Sequence, residues 1–405
     1  MTERRSKRLS RWASWLFVLS LTGYPFVGLV ATLMNWESTI ASVPFRALML
    51  AASLVIILQA ASCSRWWRNN RWLLLFWFIY LVRLLWDLLI PGVPGAAEAL
   101  GVFVAITALP SIAVGLAATR GLSERYTAWR LCIVGGAVCA LATAMRAFGW
   151  GAAQMLSEEA TLGRLAFEAV NSITLGHVAA STLLAVLCLA RGHLTPARFA
   201  ALFVIGLAAG TCLLLSNSRG PLLALAVCSV AFALATGHWR WLILMALVLV
   251  PAVTDPESAI WARIATGGED DSSLERLVLQ ANAIRQFIDH PIVGGAFTEL
   301  ELLTYPHNLF IETAMALGIV GLATLLILLS RSLRHGWMSL RAANPLIALL
   351  FLQYFIAAQF SGSIWGAASL WAAVALLSQV GSTAQRRQAS TRWHTGASAN
   401  PIVTR

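Results

Sequence analysis

Tyr305-Pro306-His307-Asn308 runs straight into LFIETAMALGIVGLATLLILL, which ends at Leu329. An apolar run of about twenty residues is what an α-helix needs to cross the hydrocarbon core of a bilayer. Pro306 disfavours helix in the residue before it, so the helix is predicted to begin after the turn. Upstream lies the one long polar segment of an otherwise apolar chain, residues 254–306. The stretch therefore marks the junction of an aqueous loop with a membrane span and places His307 at the water-facing rim.

The rest of the chain agrees with a membrane protein. Of 405 residues, 59% are hydrophobic and 12% charged, against about a quarter charged in soluble domains. The formal net charge of +11 would suit nucleic acid if it were pooled on one surface. Instead the basic residues fall in short clusters between apolar runs, the pattern that orients membrane proteins, so nucleic acid is excluded as a partner. Cys132, Cys139, Cys188, Cys212 and Cys228 lie in apolar stretches and Cys63 at an edge. None has C-x-x-C or metal-ligand spacing, so neither a disulfide framework nor a metal site is predicted.

The expected fold class is an all-α polytopic membrane protein with about twelve transmembrane helices. The basic segment TERRSKRLSRW precedes a first span at 13–34, longer than a signal-peptide core and without a clear cleavage site. Further spans are read at 42–62, 73–90, 99–119, 131–148, 172–190, 199–215, 221–236 and 241–253, then the span that starts after Asn308, then 345–360 and 364–379. With both termini cytoplasmic, SRWWRNNR, RGLSERYTAWR, RGHLTPAR, GHWR, SRSLRHGWMSLR and QRRQ all fall inside, and every one is basic. The chain then divides into spans 1–9 (1–253), an outward loop between spans 9 and 10 (254–306), spans 10–12 (307–380) and a basic tail (381–405) that reads as disordered.

This topology puts Arg83, Arg146, Arg164, Arg219, Arg276 and Arg285 toward the outer side, where the orientation rule alone would not place them. Arginine in or at the edge of a bilayer is costly unless it is paired or solvated. Arg83 has Asp87 one helical turn away as a structural partner, and Arg146 and Arg164 can snorkel. Arg219 lies in the turn SNSRG, with Pro221 suited to the start of the next helix; structural and functional readings stand level there. Within the loop, Ser272 and Glu275 form a capping box. Leu274, Leu277, Val278, Ala281, Ile284 and Ile288 then recur at helical spacing, predicting an amphipathic helix that lies on the membrane rim or on neighbouring spans. Arg276 would lean from the edge of that apolar face, and the helix is either a lid over the outer opening or a purely structural element.

His307 can fill a polar edge or act as a base, since its ordinary pKa lies near neutrality. Arginine forks match phosphate oxygens in pairs. One base and several arginines at an outward rim suit a reaction on a lipid-linked diphosphate. Gly318 and Gly321 read as small residues that let the span pack closely on a neighbour. Twelve spans would also suit a transporter, but a transporter of two six-span halves carries its long connection in the middle rather than between spans 9 and 10.

Arg219 with Leu223 forms R-x3-L, and His307, Asn308, Gly318 and Gly321 form H-N-x9-G-x-x-G, with Arg276 upstream of HPIVGG. These elements, in this order, resemble the O-antigen ligase and polymerase superfamily over about residues 205–329. The resemblance implies a GT-C-like glycosyltransferase architecture in the bacterial inner membrane with a periplasmic active site. It further implies transfer of a glycan from undecaprenyl diphosphate to lipid A-core, without metal or other cofactor and with inversion at the donor carbon. A polymerase acting on lipid-linked repeats is the alternative. By the same resemblance His307, Arg276 and Arg219 are the catalytic candidates, His307 toward the acceptor hydroxyl and the arginines toward the diphosphate. Asn308, Glu312, Tyr305, Arg83, Arg146 and Arg164 are substrate-binding candidates, with Asn308 and Glu312 placed to orient the histidine.

Overall fold

The computed structural model describes residues 3–60, 64–119, 121–151, 164–239, 271–341 and 345–379, with 242, 243, 246 and 250 between them. Among these residues the one β feature is an antiparallel bridge between Phe167 and Val170, so the chain is an all-α polytopic membrane protein. In order, the helices are α1 (Glu3–Leu33), α2 (Ser38–Ala60), α3 (Ser64–Asn69), α4 (Arg71–Leu89), α5 (Ala96–Val102), a π-helical turn at Phe103–Ala108, α6 (Leu109–Ala118), α7 (Glu124–Phe148), α8 (Ser172–Ala190), α9 (Pro196–Leu215), α10 (Arg219–Thr236), α11 (Asp271–Asp289), α12 (Leu309–Leu340), α13 (Leu346–Ala357) and α14 (Ala368–Gln379). Among the described residues nine helical runs are long and apolar enough to cross a membrane, α5 through α6 counting as one. The helices α13 and α14, each shorter than a span, stand where spans eleven and twelve were read. The ninth span, at 241–253, lies mostly outside the described residues, as do loop residues 254–270 and the tail 381–405.

The centre of the bundle is α8, enclosed by α7, α9, α10 and α13. Several of its polar residues are paired inside the bundle, where water is not available to them. Ser181 Oγ donates to Gln353 Oε1 at 3.0 Å, and Gln353 Nε2 donates to the His177 carbonyl at 2.9 Å. Helix α1 packs on α2, α6 and α7, while α12 packs on α4, α11 and α13.

One end of the bundle is pinned together and basic. Arg130 Nη1 donates to the Arg11 carbonyl at 3.0 Å, the Ile347 amide to Glu124 Oε2 at 3.3 Å, and Asn70 Nδ2 to Ser378 Oγ at 2.8 Å. At the opposite end the Leu165 amide donates to the Leu215 carbonyl and the Phe297 amide to Asp87 Oδ2. The sequence separates these ends by charge, and the packing joins each to itself.

Helix α12 is not the straight span its composition predicts. Gly318 sits at φ 62°, ψ −157°, a conformation outside the helix and one that needs glycine. The consequence follows from chain geometry. Leu309 donates its amide to the Ala358 carbonyl at 2.9 Å, and a methyl placed on Gly336 would lie 3.6 Å from Phe351 Cδ1. The 27 residues from Leu309 to Gly336 would rise about 40 Å as one straight helix, whereas the seven from Phe351 to Ala358 rise about 10 Å. Both stretches join the same two places, so the halves of α12 meet at a sharp angle. The first half, from Leu309 to Leu317, is a half-helix turned back into the bundle.

Candidate functional site

The YPHN turn sits at the start of that half-helix, and its own side chains hold it there. Asn308 caps α12, its Oδ1 accepting from the amides of Phe310 at 3.0 Å and Ile311 at 3.1 Å. This satisfies helix donors that have no partner within the helix. Asn308 is thus committed to the backbone of α12. His307 takes φ 55°, a left-handed conformation that histidine tolerates better than most residues. That conformation lets the chain leave the loop and enter the helix within one residue.

The site is recessed. The Tyr305 and His307 ring centroids are 4.5 Å apart, and the Tyr305 ring meets the Trp365 ring edge-on at 6.1 Å. The Trp365 carbonyl accepts from Thr107 Oγ1 at 2.6 Å, and Thr107 lies in the π-helical middle of the run Ala96–Ala118. His307 therefore stands deeper in the bundle than the rim position that the sequence predicted. The cause is the turned-back half-helix, whose break no hydropathy profile registers. Glu312, fully buried, accepts the Ile364 amide on both carboxylate oxygens at 2.9 and 3.1 Å. Its carboxylate fixes the turn that presents Trp365, and so reaches the histidine through Tyr305.

Helix α11 closes over this turn. Gln280 Nε2 donates to the Pro306 carbonyl at 3.4 Å, and Arg276, one helical turn earlier, is half-buried. Among the described side chains of α11, Leu279 and Ala283 are packed fully inward, while the apolar stripe faces away, with Leu277 61% and Ile288 66% exposed. The stripe therefore does not cover neighbouring spans, and a bilayer edge is the surface it fits. Arg276 falls on the inward face with Gln280 and Ala283, spaced at helical intervals. That spacing was a signal for Gln280 which a search for charged residues passed over.

The loop after α11 is tied to α4 and to the break in α12. Arg83 pairs with Asp87 at 3.3 Å and donates to the carbonyls of Val293 at 2.8 Å, Gly294 at 2.9 Å and Gly295 at 3.0 Å. The Gly295 amide reaches the Met315 carbonyl at 2.9 Å, and the Ile319 amide reaches the Pro291 carbonyl at 2.8 Å. A side chain at Gly318 would strike the backbone of Ile292, and one at Gly294 would strike Ala316. The close approach for which Gly318 is needed is thus to HPIVGG, not to another span. Arg83 is engaged by Asp87 and by loop carbonyls, the structural arrangement weighed from sequence.

The other arginines are spread around the same end. Arg219 is the first residue of α10, where a cation opposes the helix dipole rather than complementing it. Arg164 stands beside Leu165, whose amide meets the end of α9, and its Nε is buried without a hydrogen-bond partner. Arg146 lies exposed in the last turn of α7, where a cation suits the dipole. Arg285 faces Glu301 at 3.7 Å on the exposed surface. Among the described residues no group of three or more His, Cys, Asp or Glu is placed to hold a metal ion.

Electrostatics makes His307 a neutral group. Burial, and then the Arg276 cation, push its pKa down from 6.5 to about 4. Its Nδ1 is buried with no hydrogen-bond partner, a state that calls for an explanation in a folded protein. Burial, reinforced by Glu312, raises the Tyr305 phenol, and Arg276 works against the rise. Arg276 therefore acts on both aromatic groups of the turn, which brings the loop arginine and the junction histidine into one site. Comparison with curated proteins gives no match. Residues 201–326 match the family model described as O-Antigen ligase, a segment that contains Arg219, Arg276 and His307 and on which the resemblance of the motifs to that family is borne out.

Proposed function

We propose that the protein is an O-antigen ligase, transferring a glycan from undecaprenyl diphosphate to a sugar hydroxyl of lipid A-core. The observation that carries this reading is the placement of Arg276 on the inward face of α11, which closes over the turn of His307 with its buried, unbonded Nδ1, inside the matched segment. In the reaction, the acceptor oxygen attacks the donor anomeric carbon as the bond to the diphosphate breaks. His307 takes or guides the hydroxyl proton, and the leaving diphosphate collects negative charge. Arg276 and Arg219 are assigned to that charge, because cations fixed where charge develops act without reorganising. Arg164, with its unpaired Nε, is assigned to the diphosphate or the donor sugar, and Tyr305 to stacking on a sugar ring. Direct attack inverts the donor carbon and uses no metal.

The basic end of the bundle is assigned to the cytoplasm and the α11 end to the periplasm, in the inner membrane, by the charge rule for membrane proteins. Recession of the site keeps water from the diphosphate, and two amphipathic lipids meet there at high effective concentration. The test is transfer by purified protein from lipid-linked glycan to lipid A-core in metal-chelated buffer. Product on lipid A-core is expected. Glycan growth on the lipid carrier alone would make the protein a polymerase.

A further inference from the structure

A cavity at the basic end, remote from the site above, is lined by cationic and aromatic side chains. It encloses about 1020 Å³ between the start of α1 and the start of α7. Arg8, Arg11 and Arg130 line it together with Trp12, Trp15 and Tyr126, and among the described lining residues there is no carboxylate. The Arg130 guanidinium lies 4.8 Å over the Trp15 ring and donates to the Arg11 carbonyl at 3.0 Å. Arg8 and Arg11 line the same cavity, so three cations share it. Holding like charges together in a partly buried site costs free energy that a bound anion returns.

The chemistry of the walls identifies the anion's source. Trp12 and Trp15 are amphipathic residues that favour the headgroup level of a bilayer. Seven residues along α7 from Tyr126, and on the same exposed face, Ile133 continues an apolar surface toward the bilayer interior. A free phosphate would use the arginines and leave that surface idle. A phospholipid would use both, with its phosphate on the guanidinium groups and an acyl chain along α7. We propose that this cavity binds the headgroup of an anionic phospholipid, clamping α1 to α7 at the basic end.

The experiment is native mass spectrometry of the full chain released from micelles holding equal amounts of phosphatidylglycerol and phosphatidylcholine. Each arginine near an anionic headgroup contributes roughly fivefold, so the Arg11→Gln/Arg130→Gln variant is expected to retain roughly twenty-five-fold less phosphatidylglycerol. The Arg11→Lys/Arg130→Lys variant, which keeps the charge, is expected to retain most of it, and this separates loss of binding from loss of fold. Equal retention of the two lipids by the unaltered protein would overturn the proposal. So would displacement of the lipid by millimolar inorganic phosphate, which would mark a simple phosphate site. The measurement is independent of glycan transfer, so its outcome and that of the transfer assay are separable.

Discussion

At the scale of the residue, His307 carries two constraints that a substitution can separate. Its left-handed backbone costs about 1–3 kcal/mol in residues that resist that region, while its ring supplies the chemistry proposed for it. His307→Asn and His307→Gly keep the backbone at little cost, so they test the ring alone. Both are expected to insert and melt like the unaltered protein and to lose about 10²–10⁴-fold in transfer rate, the usual contribution of a general base. Normal transfer by His307→Asn would end the catalytic assignment. The pH dependence follows from the same ring. With its folded pKa at about 4 and its unfolded value near 6.5, the neutral ring's contribution to stability is whole above 6.5 and is lost as pH falls from there through 4. The acid limb of kcat/KM, which reports the free enzyme, is expected near pH 4. Diphosphate bound at Arg276 offsets the cation that helps depress the ring, so the limb of kcat is expected at higher pH than that of kcat/KM. Arg276→Gln should move the kcat/KM limb upward, toward 6.5. Coincident limbs in the two profiles would remove the arginine from the diphosphate.

At the scale of the element, the break at Gly318 sets the depth of the site. Gly318→Ala adds a side chain against the Ile292 backbone at a φ of 62°, and a cost of about 2 kcal/mol or more is expected. It should appear as a lower melting temperature in detergent, with transfer falling further than stability because the half-helix that carries His307 moves. Gly321→Ala would bring its methyl against the Cβ of Leu317, the last residue before the break, an atom that moves only with its backbone. A loss of similar kind is expected, and normal transfer by Gly318→Ala would mean that the break does not position the site. Sequence could show that a helix begins after Asn308, because the proline, the capping residue and the apolar run are all local. It could not show that the helix breaks nine residues later. Gly318 lies inside an unbroken apolar run, and what demands its conformation is the HPIVGG backbone, more than twenty residues upstream. The inward face of α11 was hidden for a related reason: periodicity locates an apolar stripe but does not say whether protein or lipid will meet it.

At the scale of the whole molecule, charge and hydropathy gave the helices and their order, because each span must satisfy its own backbone in lipid whatever its neighbours do. The gathering of Arg276, Tyr305, His307 and Trp365 depends on α11 and the 361–367 turn closing on one point from different parts of the chain, and nothing local records that. Arg83 shows the same limit, since sequence offered Asp87 as its partner but not the three loop carbonyls it also holds. The orientation of the bundle is open to a direct measurement. Cys132, Cys139, Cys212 and Cys228 are buried and Cys188 is largely so, which leaves Cys63 to be replaced by serine for a quiet background. On that background Leu300→Cys, exposed on the loop that follows α11, is expected to react with a membrane-impermeant maleimide added to spheroplasts. Arg341→Cys, exposed at the end of α12, should react only after the membrane is opened. The reverse pattern would put the candidate site on the cytoplasmic face, out of reach of a periplasmic acceptor. Labelling of Tyr305→Cys, in a turn covered by α11 and recessed beside Trp365, is expected to be slower than that of Leu300→Cys and slower still once lipid-linked donor occupies the site. Equal rates at the two positions would place the junction at the rim after all and remove the shielding from water on which the proposed transfer depends.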